Sequence, residues 1–330
     1  MSLRIGVIGA GAMGADHIRT LTSSVPSARV SEVYDFDTGT ARAAARPAFA
    51  DVVSSAEALI DSSSVDAVII ASPDHTHADL VRACLDAGKH VLCEKPLAVN
   101  PEESRSVVDA EVAGGRRLVQ VGFMRRYDPG YTELRDELRS GRLGDVRLVH
   151  HVHRNASSHT SATDAGIVTG SMIHELDTVR WLLDDEVAEI EIVSPVTEGL
   201  RDPQLATIRM SRGTIVSAEV FVNASYGYDI RCEVVGTSGT AELRPLARIS
   251  TRRAGAESTA IRDDFVAHFA TAYRLELASW VEDTLRDTVR GPSAWDGHVA
   301  NVIASAGVAS LVVGGRQPVH TGDRPDLYAG

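Results

Sequence analysis

The chain has 330 residues, 44% hydrophobic and 24% charged, with a formal net charge of -12 at pH 7. That length and composition allow two domains, each with a buried core, and exclude disordered and fibrous classes. The acidic balance disfavours nucleic acid or an anionic membrane surface as partner, because both repel it over a Debye length, and a small neutral or locally bound substrate fits better.

Three cysteines, Cys84, Cys93 and Cys232, form neither a metal-type spacing nor an even-numbered framework. They read as buried thiols of a reducing compartment, with the cytoplasm as default. The first apolar run, Leu3–Ile8, lacks the basic flank and cleavage site of a signal peptide. No run approaches the length of a membrane span, so the expectation is a soluble protein with no membrane partner.

In chain order, short β-branched runs at 4–8, 30–34, 65–71, 90–93 and 118–121 predict strands, and amphipathic stretches near 13–23, 56–61, 78–87 and 102–114 predict helices. Strands alternating with helices imply right-handed crossovers and a parallel sheet covered on both faces, so residues 1–122 read as a doubly wound α/β domain. After Gly122 the rhythm changes to a helix near 130–140, a strand over 146–154 and a helix near 172–183. Segments 190–193, 206–210, 215–222, 231–235 and 240–243 follow with short Gly-containing connections that predict hairpins. Two long helical patterns, 265–290 and 298–313, close the chain. Residues 123–330 are therefore expected to form an α+β domain with an open, largely antiparallel sheet, whose terminal helix could pack back on the first domain.

Gly9, Gly11 and Gly14 form G-x-G-x-x-G directly after the first strand, and Ala12 and Met13 within the motif open the first helix. Glycine permits the tight turn and the close approach of backbone to a pyrophosphate, whose charge the helix N-terminus stabilises. A glycine-rich turn without a ligand is the alternative, and the following acid argues against it. Asp35 ends the second strand about 20 residues after the last glycine, where a carboxylate accepts ribose hydroxyls and repels a 2′-phosphate, favouring NAD over NADP. Phe36 places no arginine there to neutralise an extra phosphate. Asp37 reads as a turn residue.

Five further segments occur in order: Ala71-Ser72-Pro73-Asp74-His75-Thr76-His77, Cys93-Glu94-Lys95-Pro96, Gly122-Phe123-Met124-Arg125-Arg126-Tyr127, His153-Arg154-Asn155 and Ile173-His174-Glu175-Leu176-Asp177. With these, the chain resembles the glucose-fructose oxidoreductase, inositol dehydrogenase and rhizopine-catabolism family through to the helix of Trp295-Asp296-Gly297. The resemblance implies an N-terminal Rossmann domain and a second domain that carries a polyol or sugar site and assembles a homo-oligomer, a dimer or tetramer. It implies NAD-dependent hydride transfer from a secondary hydroxyl of myo-inositol or a related cyclic polyol or sugar, giving a ketone.

By the same resemblance Lys95 binds the reacting hydroxyl and His174 accepts its proton. Ser72, Pro73, His75, Glu94 and Lys95 join the glycines and Asp35 around the cofactor. Met124, Arg125, Asn155 and Tyr228 line the polyol pocket, Ser171 stands at a position often occupied by threonine, and Pro96 follows a cis peptide. His153 reads as pocket-lining. The chemistry agrees: removing a proton as hydride leaves calls for a base near neutrality, and an ammonium beside the oxygen stabilises developing alkoxide.

One position departs. Similar dehydrogenases carry Asp four residues before the histidine, and this chain has Gly170. Loss of a carboxylate that orients an imidazole costs about 10²–10⁴ in rate. Asp177 or Thr178, a water, or a loop acid such as Asp164 could substitute. Two other readings follow from Gly170: a catalytically impaired protein that binds NAD and a polyol, or a dehydrogenase for a different, bulkier sugar. The pairs His75 and His77, and His151 and His153, have alternating spacing, but no third ligand at a known spacing accompanies them, so no metal is expected. Arg116-Arg117 and Arg252-Arg253 read as solvated turns.

Overall fold

The computed structural model describes residues 2–244 and 249–329. The chain divides into two compact units, Met1–Met124 with Ala272–Asn301 and Thr321–Gly330, and Arg125–Thr271 with Val302–His320.

The first unit runs β1 (Leu3–Ile8), α1 (Ala12–Ser24), β2 (Ala28–Tyr34), α2 (Thr38–Ala45), β3 (Asp51–Val52), α3 (Ala56–Asp61), β4 (Ala67–Ile70), α4 (His77–Asp86), β5 (His90–Glu94), α5 (Pro101–Gly114) and β6 (Val119–Gly122). All strand pairs are parallel, in the order β3-β2-β1-β4-β5-β6, the doubly wound arrangement that reverses at β1 and β4. Every residue of β4 and β5 is buried, as both faces of such a sheet require.

Two elements go beyond the sequence expectation, α2 and β3. Asp37, expected as a turn residue, is the N-cap of α2: its carboxylate accepts the Thr40 N–H at 2.6 Å, and this hydrogen bond lowers its pKa. Asn100 caps α5 in the same way, with Pro101 at the first turn and Gly115 left-handed at the other end.

The second unit contains α6 (Pro129–Arg139), β7 (Val146–Arg154), the single turn α7 (Asp164–Gly166), a π-helical turn (Ile167–Met172), α8 (Ile173–Leu183), β8 (Val187–Val193), β9 (Gln204–Met210), β10 (Ile215–Phe221), β11 (Asp229–Gly236), β12 (Thr240–Glu242), β13 (Ser250–Arg253), β14 (Ala256–Thr259) and α9 (Phe265–His268). Its main sheet has the order β12-β11-β7-β10-β9-β8-β15, where β15 is Gln317–Pro318. Only the β7–β10 pair is parallel. Burial alternates along β9 and β10, so one face is core and the other faces solvent. Arg252 and Arg253 lie in a hairpin strand instead of a turn: β13 pairs with β14, the reversal falls at Ala254 and Gly255, and Arg252 pairs with Glu257 across the ladder.

The long helical pattern at 265–290 breaks at Phe269 into α9 and α10 (Ala270–Leu285). On α10, Leu277, Trp280 and Val281 join Ile5, Val7 and Ile69 in the core of the first unit. The last helix, α11 (Ala294–Val313), corrects the statement that no run approaches a membrane span. It is 20 residues long with a mean hydropathy of 1.3 in its most apolar window, long and apolar enough by length and composition alone. Over half of that window is buried inside the protein, and its small residues pack closely: a Cβ at Gly307 would come within 2.7 Å of Ile192.

Candidate active site

In the first unit, the glycine turn has three distinct roles. Gly9 has φ +88°, and a Cβ there would lie 2.4 Å from the Ser72 nitrogen. A Cβ on Gly14 would lie 1.9 Å from the Gly9 carbonyl oxygen, so the helix can meet the turn only without one. A Cβ on Gly11 would meet nothing within 4 Å, which leaves this surface open above the first amides of α1, at Ala12 and Met13. No side chain caps that helix end and no acid lies in its first turn. Its N–H groups therefore suit a pyrophosphate.

Asp35 connects the second strand to this turn: Ala10 N–H donates to Oδ2 at 2.7 Å and Asp37 N–H to Oδ1 at 2.8 Å. A carboxylate oxygen that accepts one bond keeps capacity for a ribose hydroxyl. Phe36 is 96% exposed and adds no positive charge. The donors, the open surface and the acid fit a dinucleotide with a free 2′-hydroxyl.

The loops after β4 and β5 come next. Ser72 and Thr76 share a hydroxyl hydrogen bond of 2.6 Å, Pro73 precedes the short turn Asp74–Thr76, and His75 on that turn is exposed. His77 opens α4, so it does not share a strand face with His75. Its buried ring spans the two loops, with Nδ1 2.7 Å from the Pro96 carbonyl and Nε2 2.9 Å from that of Ser72. The Lys95–Pro96 peptide is cis.

Glu94, expected at the cofactor, is buried and directed inward: its Oε1 lies 2.8 Å from His17 Nε2, and Oε2 accepts the Lys95 N–H at 3.2 Å. Burial alone would raise its pKa. The His17 hydrogen bond and the charges of His17 and Lys95 outweigh that and lower it. Gly122 leaves room for this carboxylate, since a Cβ there would sit 3.1 Å from Oε2.

In the second unit the polyol-site residues gather around His153. Its ring centroid lies 6.4 Å from that of His174, the second residue of α8, and 5.8 Å from that of Tyr228. Tyr228 in turn contacts His268 at 5.3 Å and Phe269 at 6.2 Å. The π-helical turn carries Gly170 and Ser171 and leads directly into α8. Asn155 follows β7, and its Oδ1 is buried without a hydrogen-bond partner among the described residues, so it is suited to a substrate hydroxyl. Met124 is buried at the end of the first unit.

Arg125, expected to contact substrate, is only 1% exposed: it forms an ion pair with Glu175, and its Nη2 lies 3.2 Å from His153 Nδ1. The same Nδ1 lies 3.1 Å from Glu175 Oε2. Burial opposes ionisation of Glu175, but the charges of Arg125 and His153 hold its pKa at about 2. Burial, followed by the Arg125 charge, lowers His268 to about 4, and burial also takes His151 to about 4.

The acids proposed to compensate for Gly170 each have an arginine contact. Asp177 pairs with Arg126, whose Nε donates to Oδ2 at 2.9 Å, and Asp164 accepts the Arg201 N–H at 2.8 Å. No cluster of three or more His, Cys, Asp or Glu side chains able to hold a metal occurs among the described residues. Three residues were missed as participants by the sequence reading: His17, His77 and Glu175. The available signals were a histidine on the buried face of α1 and an acid adjacent to His174.

Residues 3–123 match the GFO_IDH_MocA profile, described as an oxidoreductase family with an NAD-binding Rossmann fold, and residues 131–242 match the GFO/IDH/MocA C-terminal domain. The chain is 46% identical over 335 residues to inositol 2-dehydrogenase 1 of Saccharopolyspora erythraea, covering 99% of each. It is 42% identical over 336 residues to inositol 2-dehydrogenase of Pseudomonas fluorescens, covering 100% of each. Among solved structures, myo-inositol dehydrogenase from Lactobacillus casei in complex with NAD(H) and myo-inositol is similar with a TM-score of 0.96 and 34% identity, covering 99% of this chain and 100% of that one.

Proposed function

The chain belongs to the GFO/IDH/MocA oxidoreductase family, and from that membership we propose that it oxidises the secondary hydroxyl of myo-inositol to the ketone with NAD. The observation that carries the proposal is the end-to-end similarity to a dehydrogenase solved with NAD(H) and myo-inositol. When bound, NAD supplies the acceptor for the carbinol hydride. Lys95 holds the reacting oxygen and stabilises negative charge developing on it, and His174 takes the hydroxyl proton. Ser171, Asn155 and Tyr228 orient the ring hydroxyls. The impaired binder raised by Gly170 is not favoured, because relatives 42–46% identical over full length are named dehydrogenases.

The proposal includes a reducing compartment, the cytoplasm, supported by three buried free thiols. It also includes a dimer or tetramer, supported by exposed Leu148, Val193 and Leu205 on the solvent face of the second sheet. Purified protein incubated with NAD and a panel of inositols, other polyols and aldoses should form NADH fastest with myo-inositol. NAD binding without turnover on any of these substrates would reject the proposal.

A further inference from the structure

Tyr228, the residue before β11, is where the rings of the second unit meet. Its backbone N–H donates to the Arg262 carbonyl at 2.7 Å, an isolated bridge that fixes the segment leading into α9. Asp264 then caps that helix by accepting the Ala267 N–H at 2.8 Å. Held in this way, Phe265, His268 and Phe269 reach the Tyr228 ring at centroid distances of 6.4, 5.3 and 6.2 Å. The same ring lies 5.8 Å from His153, whose Nδ1 is taken up by Glu175 and Arg125. Of the three rings that this segment brings to Tyr228, His268 alone carries hydrogen-bonding atoms.

Packing fixes the His268 imidazole without using its nitrogens. The ring stands edge-on to Tyr228 and to Phe269, whose centroid is 4.7 Å away. Among the described residues neither nitrogen has a hydrogen-bond partner, and in this half-buried side chain neither is sealed from solvent. Burial, then the charges of Arg125 and Arg262, hold the group at about 4; Asp229 opposes them and His153 adds to the lowering. Near pH 7 the ring is therefore neutral, with one N–H donor and one bare acceptor. Arg125 and Glu175, the full charges beside His153, pair with each other. The ligand that suits this corner is uncharged and rich in hydroxyls, each able to give or accept a hydrogen bond.

Resting on the proposed dehydrogenase reaction, we propose that His268 contacts the substrate and sets specificity, its two ring nitrogens hydrogen-bonding hydroxyls of the polyol other than the one oxidised. Lys95 and His174 act on the reacting oxygen, and no proton or hydride passes through His268. The contacts with Tyr228 and Phe269 fix the ring before substrate arrives, so little rotamer freedom is lost on binding. A site built to hydrogen-bond a hydroxyl discriminates against an analogue that lacks it, because its polar atoms are then left unpaired. Water can still reach the half-buried ring of His268, which limits the discrimination to about tenfold.

The test uses His268→Phe, which keeps the ring packing and removes both nitrogens; His268→Leu serves if that variant does not fold. KM for myo-inositol should rise about tenfold with kcat and the KM for NAD within about threefold of wild type, since the lost binding is common to ground and transition states. His268→Gln retains a donor and an acceptor and should stay within about threefold of the wild-type KM. Monodeoxyinositols that keep the reacting hydroxyl give the comparison that a purely structural role would not move. On at least one of them the gap between wild type and His268→Phe should close to about twofold, because the hydroxyl that meets the ring is absent from both complexes. An unchanged KM in His268→Phe, a His268→Gln variant as weak as His268→Phe, or an equal loss on every deoxyinositol would each overturn the proposal. If the wild type oxidises no polyol, the dehydrogenase reading fails, and ring NMR decides His268 by itself. Its signals, identified by their absence in His268→Phe, shift on addition of myo-inositol or another polyol if the contact exists; signals that stay in place overturn it.

Discussion

Replacing Glu175 with Gln tests the buried network beneath the polyol site in a quantity that needs no substrate. Glu175 and Arg125 are each 1% exposed, so the substitution leaves a guanidinium buried without its counter-charge, a change that costs about 3–5 kcal/mol. The carboxyl itself gives a second estimate. It is held at about 2 in the folded chain against 4.5 for the free group, which corresponds to about 3 kcal/mol of stability. Because the folded pKa is depressed, that stability is fully present above pH 4.5 and is lost as pH falls through 2; about 2 kcal/mol of it is gone by pH 3. His151 and His268, held at about 4 by burial, also acquire charge as pH falls; His268 does so alike in both chains, whereas the Glu175 charge raises His151, so the difference between wild type and variant reads Glu175 together with its coupling to His151. Urea unfolding read by hydrogen exchange of the α8 and β7 amides confines the measurement to the second unit. The wild-type advantage should be about 3–5 kcal/mol at pH 7 and shrink toward pH 3. An advantage under 1 kcal/mol at pH 7, or one that does not change with pH, would refute the ion-pair account.

Three other outcomes are expected. Asp35→Ser removes the carboxylate that accepts the Ala10 and Asp37 amides; NAD should bind roughly 10- to 100-fold more weakly by calorimetry while NADP binding improves, and equal NAD affinity would count against the ribose assignment. Gly14→Val and Gly11→Ala should separate folding from binding: the first drives a Cβ into the Gly9 carbonyl and should abolish a cooperative melt of the first unit. The second faces open space and should keep the melting temperature while weakening NAD. His77→Ala removes the ring that spans the Pro96 and Ser72 carbonyls and leaves a loop carbonyl without its donor at about 1–3 kcal/mol, so the melting temperature should fall and KM for NAD rise; a shift in neither would mean the two loops hold without the ring.

The glycine turn was legible because a short local pattern fixes its geometry: Gly9, Gly11 and Gly14 are close in sequence and their roles follow from backbone alone. The strand that carries His153 was legible for the same reason, since alternation marks residues 146–154 as one half-buried strand, the bounds β7 has. Illegible parts depend on distant partners. Nothing near Arg125 reveals that Glu175, 50 positions on, takes its charge, and so an arginine read as a substrate contact is a buried brace. Glu94 stands among the cofactor residues by the resemblance alone, and nothing near it in the sequence reveals that its carboxylate meets His17, 77 positions earlier. Helix α2 escaped because it is only 8 residues long and opens on Thr-Gly-Thr, and β3 because two residues carry no period.

Three buried carboxyls also show that burial does not by itself set a charge state. Glu94, Glu175 and Glu276 are all nearly or fully inaccessible, and desolvation pushes each toward the neutral form. Glu175 has Arg125 and Glu94 has His17 and Lys95, and both are held below the ordinary carboxylate range. Glu276 on α10 has no cationic partner among the described residues: after burial, its largest influence is the charge of Glu94, which pushes it further up, well above the usual value. Burial is what chiefly keeps Glu276 neutral, and repulsion from the ionised Glu94 adds to it. The consequence reaches Lys95. Its backbone N–H donates to Glu94, whose carboxylate is held by His17 from α1, the helix that opens directly after the glycine turn. The glycine turn and the lysine loop are thereby braced by one buried hydrogen bond between His17 and Glu94, and a substitution at His17 should disturb both.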